Sequence, residues 1–144
     1  MNSIEQQLRK HVTELDDYDA AADALRALRK LNSGLTEQLA LEILTENKGD
    51  PYFQAFAFET LYAVNLHKAI ELIKNPPLGL SPIILNAMIE CITEDVGIVH
   101  ETPSVSEAIE PLKKSIKNLS TQDVNRIKET IEWFQETYPD TSKT

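Results

Sequence analysis

Apolar positions recur at helical spacing along nearly the whole chain. Ile4, Leu8, Val12 and Leu15 follow at steps of four, four and three, the stripe of an amphipathic helix. Leu25, Leu28 and Leu31 share a face of the next segment, where Ala20, Ala21, Ala22, Ala24 and Ala27 favour helix. Leu39 and Ile43, beside Leu41 and Leu44, mark a third. Phe53, Phe56, Ala57, Leu61 and Val64 mark a fourth, Leu66, Ile70 and Ile73 a short fifth, and Ile84, Ala87, Met88, Cys91 and Ile92 a sixth. Val105, Ile109, Leu112, Ile116 and Leu119 keep the spacing across Pro111, so this stretch is either one kinked helix or a short helix broken near Glu110. Val124, Ile127, Ile131 and Phe134 define the last. Period-two alternation never lasts more than a few residues, so the pattern predicts an all-α fold.

The polar positions set the boundaries. Ser3 caps the first helix, and the Asp-rich stretch 16–19 breaks it and caps the second. Gly34 reads as the stop of the second helix, Thr36 as the start of the third and Gly49 as its end. Asp50-Pro51 and Ser81-Pro82 each place a cap before a proline at the first helical position. Asn65 reads as a break and a cap, and 75–80, with two prolines and a glycine, as a loop. A second loop is expected over 96–103. Ser120 with Asp123 resembles a capping box. Tyr138-Pro139 ends the last helix. The expectation is one helical domain over 1–139 and a polar tail over 140–144, about seven or eight helices in all.

The helices fall into pairs. The second members start near Asp19, Pro51, Pro82 and Thr121, a period of 30 to 40 residues that signals stacked helical hairpins. Phe53 falls on Ile84, Phe56 on Ala87 and Leu61 on Ile92. The stretch Asp50-Pro51-Tyr52-Phe53-Gln54-Ala55-Phe56-Ala57-Phe58-Glu59-Thr60-Leu61 resembles the second helix of HEAT-type repeats, which often begins with an acidic residue or Pro and carries an Ala shortly before a Leu. The Arg or Lys common early in that helix is missing, and Gln54 stands nearby. The resemblance covers residues 15 to 95 and implies antiparallel helices stacked as a short α-solenoid, an architecture used as a binding scaffold. In size, charge and helicity the chain also resembles the small acidic immunity proteins of bacterial polymorphic toxin systems.

Charge narrows the partners. Among 144 residues, 23 are Asp or Glu and 14 Lys or Arg, a formal net charge of −9 that repels phosphate backbones and argues against nucleic acid. Residues 49 to 112 carry nine acids and only Lys68 and Lys74 as bases, and 75–112 contains no Lys or Arg. Lys113, Lys114, Lys117, Arg126 and Lys128 form a short basic segment after it. Such an imbalance is either a solubilising surface or a docking face for a basic protein. The longest apolar runs are four residues, too short to cross a bilayer, and the start has neither a basic nor an apolar leader region, so no membrane partner and a cytoplasmic location are expected.

Catalytic equipment is sparse. The three histidines, His11, His67 and His100, form no His-Glu-x-x-His motif, and His11 with Glu14 and His67 with Glu71 read as surface pairs on one helix face. The single cysteine, Cys91, excludes an internal disulfide and reads as a small core residue. Glu90 and Glu94 lie one turn apart beside Asp95, a pattern open to a cation or acid–base chemistry, but no EF-hand spacing or glycine-rich phosphate loop accompanies it. No enzyme activity, cofactor or metal is expected.

Two binding readings remain. The first is an immunity protein that neutralises a bacterial toxin by occluding its basic surface, through Glu90, Glu94, Asp95, His100 and Glu101, with Asp16, Asp17 and Asp19 as a second site. The second is an adaptor that holds a peptide or protein in an apolar groove involving Phe58 and Tyr62, although both aromatics are also what a central helix buried on two sides would carry. Trp133 and the loop through 76–82 are further candidate contact points.

Overall fold

A computed structural model describes residues 3–77, 79–95 and 103–139. Every regular element among them is helical. Helices α1 (Ser3–Glu14), α2 (Tyr18–Leu31), α3 (Ser33–Thr45), α4 (Pro51–Val64), α5 (Leu66–Lys74) and α6 (Pro82–Glu94) precede a one-turn α7 (Pro103–Ser106), α8 (Ile109–Lys117), α9 (Thr121–Arg126) and α10 (Lys128–Thr137).

Ser3, expected as a cap, lies inside α1, but the other side-chain caps form as the polar pattern predicts. Asp17 Oδ1 accepts from the Asp19 and Ala20 amides at the start of α2. Asp50 Oδ1 accepts from Phe53 N at 2.8 Å, with Pro51 in the first turn of α4. Ser81 Oγ accepts from Ile83 N ahead of Pro82, and Ser120 Oγ from Asp123 N. These side chains satisfy amides that the helix itself leaves without partners.

Three boundaries differ from expectation. Gly34 lies in the first turn of α3 and stops nothing. Asn32 instead closes α2, its amide donating to Leu28 O, and opens α3, its Oδ1 accepting from Leu35 N. Asn65 joins α4 to α5 in the same way. Around Pro111 the chain breaks at 107–108, earlier than expected, which leaves Pro111 in the first turn of α8, where its missing N–H costs no helical bond. The last helix is interrupted at Ile127 (φ −119°, ψ 29°), with no proline or glycine to mark it. The expected loop over 96–103 lies outside the described residues up to 102, and so does the tail over 140–144.

The hairpin pattern is present in the packing of the first two pairs but not of α5 with α6. α1 packs on α2 and α3 on α4, while α2, α4, α6 and α10 follow one another as a row of second helices. α5 packs against α4, α7 and α8. One continuous apolar core runs from Val12 through Leu25, Leu39, Phe58, Leu61, Met88 and Leu112 to Phe134. α4 sits at its centre, against α2, α3, α5 and α6.

Candidate functional site

The central helix and the helix beside it present the acidic site. Glu59 projects from α4, Glu90 and Glu94 from α6, and Asp95 caps α6 at its C-terminus. Glu90 and Glu94 are four residues apart on one helix and therefore share a face. Glu59 reaches the same region from α4. Its carboxyl is held above the ordinary value, first by desolvation, although the residue as a whole is exposed, and then by repulsion from Glu90 and Glu94.

Tyr62, one turn beyond Glu59 on α4, donates its hydroxyl to Asp95 Oδ2 at 2.5 Å and so pins the end of α6 to α4. Burial and that donation hold the phenol well above its ordinary range. Tyr138, just past α10, donates to Ile92 O at 3.2 Å, and its phenol is raised first by burial and then by Asp95. Asn86 donates its amide to Glu90 Oε1.

Among the described residues no Lys or Arg pairs with these carboxylates. Ion pairs elsewhere bind Glu37 to Lys68 (2.6 Å), Asp23 to Arg26 (2.7 Å) and Glu107 to Lys74 (3.6 Å), but among the described residues none involves Glu59, Glu90, Glu94 or Asp95. Glu94 and Asp95 also stand at the C-terminus of α6, where the helix dipole favours cations and each misplaced anion costs about 0.3–1 kcal/mol. Asp95 is offset by the Tyr62 hydroxyl, whereas Glu94 makes no hydrogen bond or ion pair among the described residues.

Cys91 lies amid the same group. Burial first, and then Glu59, Glu94, Asp95 and Glu90, push its thiol up to about 12. At neutral pH it is a protonated, weakly nucleophilic side chain. Among the described residues no group of three or more His, Cys, Asp or Glu side chains is arranged to hold a metal ion. What the arrangement offers is a negative field on a rigid frame.

Of the sequence-derived candidates, the structure therefore brings Glu90, Glu94, Asp95 and Tyr62 together. It adds Glu59, whose position three residues before Tyr62 puts it on the same face of α4. Asp16, Asp17 and Asp19 sit apart, at the α1–α2 junction, where Tyr18 stacks on Phe53 with ring centroids 5.8 Å apart. From Phe53 to Glu59 is six residues, about 9 Å along α4. Phe58 must be corrected as a contact residue. It is 0 % exposed, because α4 is flanked on both apolar sides, and its ring packs against Tyr62. An apolar groove involving Phe58 and Tyr62 is consequently not present, since the first is sealed in the core and the second is bound to Asp95. Trp133 is 40 % exposed on α10. His100 and Glu101 lie outside the described residues. Comparison with protein-family models, with curated proteins and with solved structures finds no match to this chain.

Proposed function

We propose that the chain is an acidic protein-binding module, and specifically an immunity protein that neutralises a bacterial toxin by covering its basic surface. The observation that carries this reading is the group of four carboxylates on α4 and α6, which no Lys or Arg of the described residues pairs and within which burial and repulsion from Glu90 and Glu94 raise the Glu59 carboxyl above its ordinary value. A cationic partner removes that repulsion on binding, so the cost in the free protein becomes a gain in the complex. Occlusion demands no chemistry. About 800 Å² per partner is a standard interface, roughly a tenth of the 8383 Å² that this protein exposes.

The test takes the captured partner and measures association by stopped flow across a salt series, for the parent protein and for Glu59→Lys combined with Glu94→Lys. Steering by the acidic group predicts a rate about tenfold or more lower for the variant at low salt, with a flattened salt dependence. An unchanged rate rejects the site.

A further inference from the structure

A cavity of about 450 Å³ opens on the molecule where the turn after α3 meets the 75–81 connection. Its apolar walls are Leu72, Leu80, Ile84 and Met88, and the polar Gln54 and Asn47 stand among them. No charged side chain among the described residues lines it. That is unusual in a chain that is 26% charged and net −9.

Gln54 gives the cavity its chemistry. The residue is only 5 % exposed. Its Nε2 donates to Lys48 O at 3.2 Å and to Gly49 O at 3.1 Å, which uses both amide hydrogens. Those two carbonyls fix the orientation of the amide, because the flipped form would set Oε1 against two acceptors. Oε1 itself accepts no hydrogen bond among the described residues. Yet no side-chain oxygen or nitrogen that is sealed from solvent lacks a partner. The oxygen is therefore open, and Gln54 opens on this cavity. The nearby hydroxyls are committed elsewhere, Thr45 Oγ1 to Leu41 O at 2.7 Å and Ser81 Oγ to the Ile83 amide.

We infer that this cavity is a binding site for a neutral, mainly apolar small molecule carrying one N–H or O–H donor, which Gln54 Oε1 accepts. Its volume falls in the range of small-molecule pockets, apolar side chains joined by a few polar groups are their usual composition, and the Gln54 amide is held in place before any ligand arrives. A charged ligand would surrender its hydration with no counter-charge in return. The site is independent of the acidic group on α4 and α6.

Indole and indene, nearly equal in shape but the second without the N–H donor, test it by titration of ¹⁵N-labelled protein. Indole should produce saturable shifts of the Gln54 side-chain amide and of Ile84, and indene should bind about tenfold more weakly, the effect of leaving an acceptor unpaired. Leu80→Trp, at the half-buried rim, should fill the space and abolish indole binding with helix content unchanged; it replaces a Gln54 substitution, which would also break the turn after α3. Equal affinity for the two probes overturns the role of Gln54, and no saturable shift with indole, or shifts that survive Leu80→Trp, overturn the site.

Discussion

Two glutamates show how one residue type acquires opposite consequences. Glu37 accepts from Lys68 at 2.6 Å and Asn65 at 2.8 Å, and these bonds, the Lys68 one first, hold its carboxyl below the ordinary value. Its contribution is present above the unfolded-state value of 4.5 and is lost as pH falls through the lowered one. Glu59 is the reverse. The folded protein holds its proton more tightly than the unfolded chain does, so at pH 7 the ionised side chain works against the fold. As pH falls through the raised value the proton is taken up first by the folded state, and the cost is gone below about 4.5. Glu59→Gln should therefore stabilise at pH 7 by about 0.5 kcal/mol, the size of a solvent-screened interaction, or about 1–3 °C in Tm, with no difference left by pH 4. Thermal melts at the two pH values check this, and an equal gain at both would mean that charge is not the cause. The acidic bias around Glu59 was legible in the sequence. The raised proton affinity was not, because it depends on α4 and α6 lying side by side.

At the scale of the element, boundaries written in local chemistry were legible. Asp50-Pro51, Ser81-Pro82 and Asn65 cap what they were expected to cap, since a cap bonds to amides two or three residues away. Gly34 misled because Asn32 performs both terminations and leaves the glycine inside a helix, where it costs about 1 kcal/mol relative to Ala. Phe58 was ambiguous because its burial is decided by which helices flank α4. The turn into α4 is the most constrained joint. Gly49 has φ +77°, and a Cβ there would meet Phe53 Cδ2 at 2.8 Å. Phe53 is itself a buried core residue. Gly49→Ala should cost about 2–3 kcal/mol, from backbone strain and a forced shift of the ring. Gly79→Ala, also at positive φ but with nothing within 4 Å of the added carbon, should cost about 1 kcal/mol. Urea midpoints of the two variants provide the comparison, and equal losses would show that the Phe53 contact is unimportant.

Over the whole molecule, negative charge is concentrated at two places on the row of second helices. One is Glu59, Glu90, Glu94 and Asp95; the other is Asp16, Asp17 and Asp19, beside the stacked Tyr18 and Phe53. Asp17 has a structural role as the cap of α2, and the exposed Asp16 and Asp19 side chains have no such bond in the structure. If both places face one basic partner, Asp16→Lys with Asp19→Lys should slow association at low salt by a further three- to tenfold on top of the Glu59/Glu94 reversal, because well-separated sites add. Stopped-flow rates for the combined variant measure it, and a rate equal to that of the Glu59/Glu94 variant would assign Asp16 and Asp19 to solubility alone.

The single-residue joints at Asn32 and Asn65 have a consequence for how such a chain changes over generations. Each asparagine ends one helix and begins the next, with no spare backbone between them. An α-helix turns by about 100° per residue, so a codon gained or lost within α3 or α5 near its joint would swing the buried side chains beyond it away from the core. The described residues of the connection over 75–81 are not helical and carry no such phase relation. Drift in length is thus permitted between α5 and α6 and forbidden at these two joints, which link one helix pair to the next and where only substitution remains open to it.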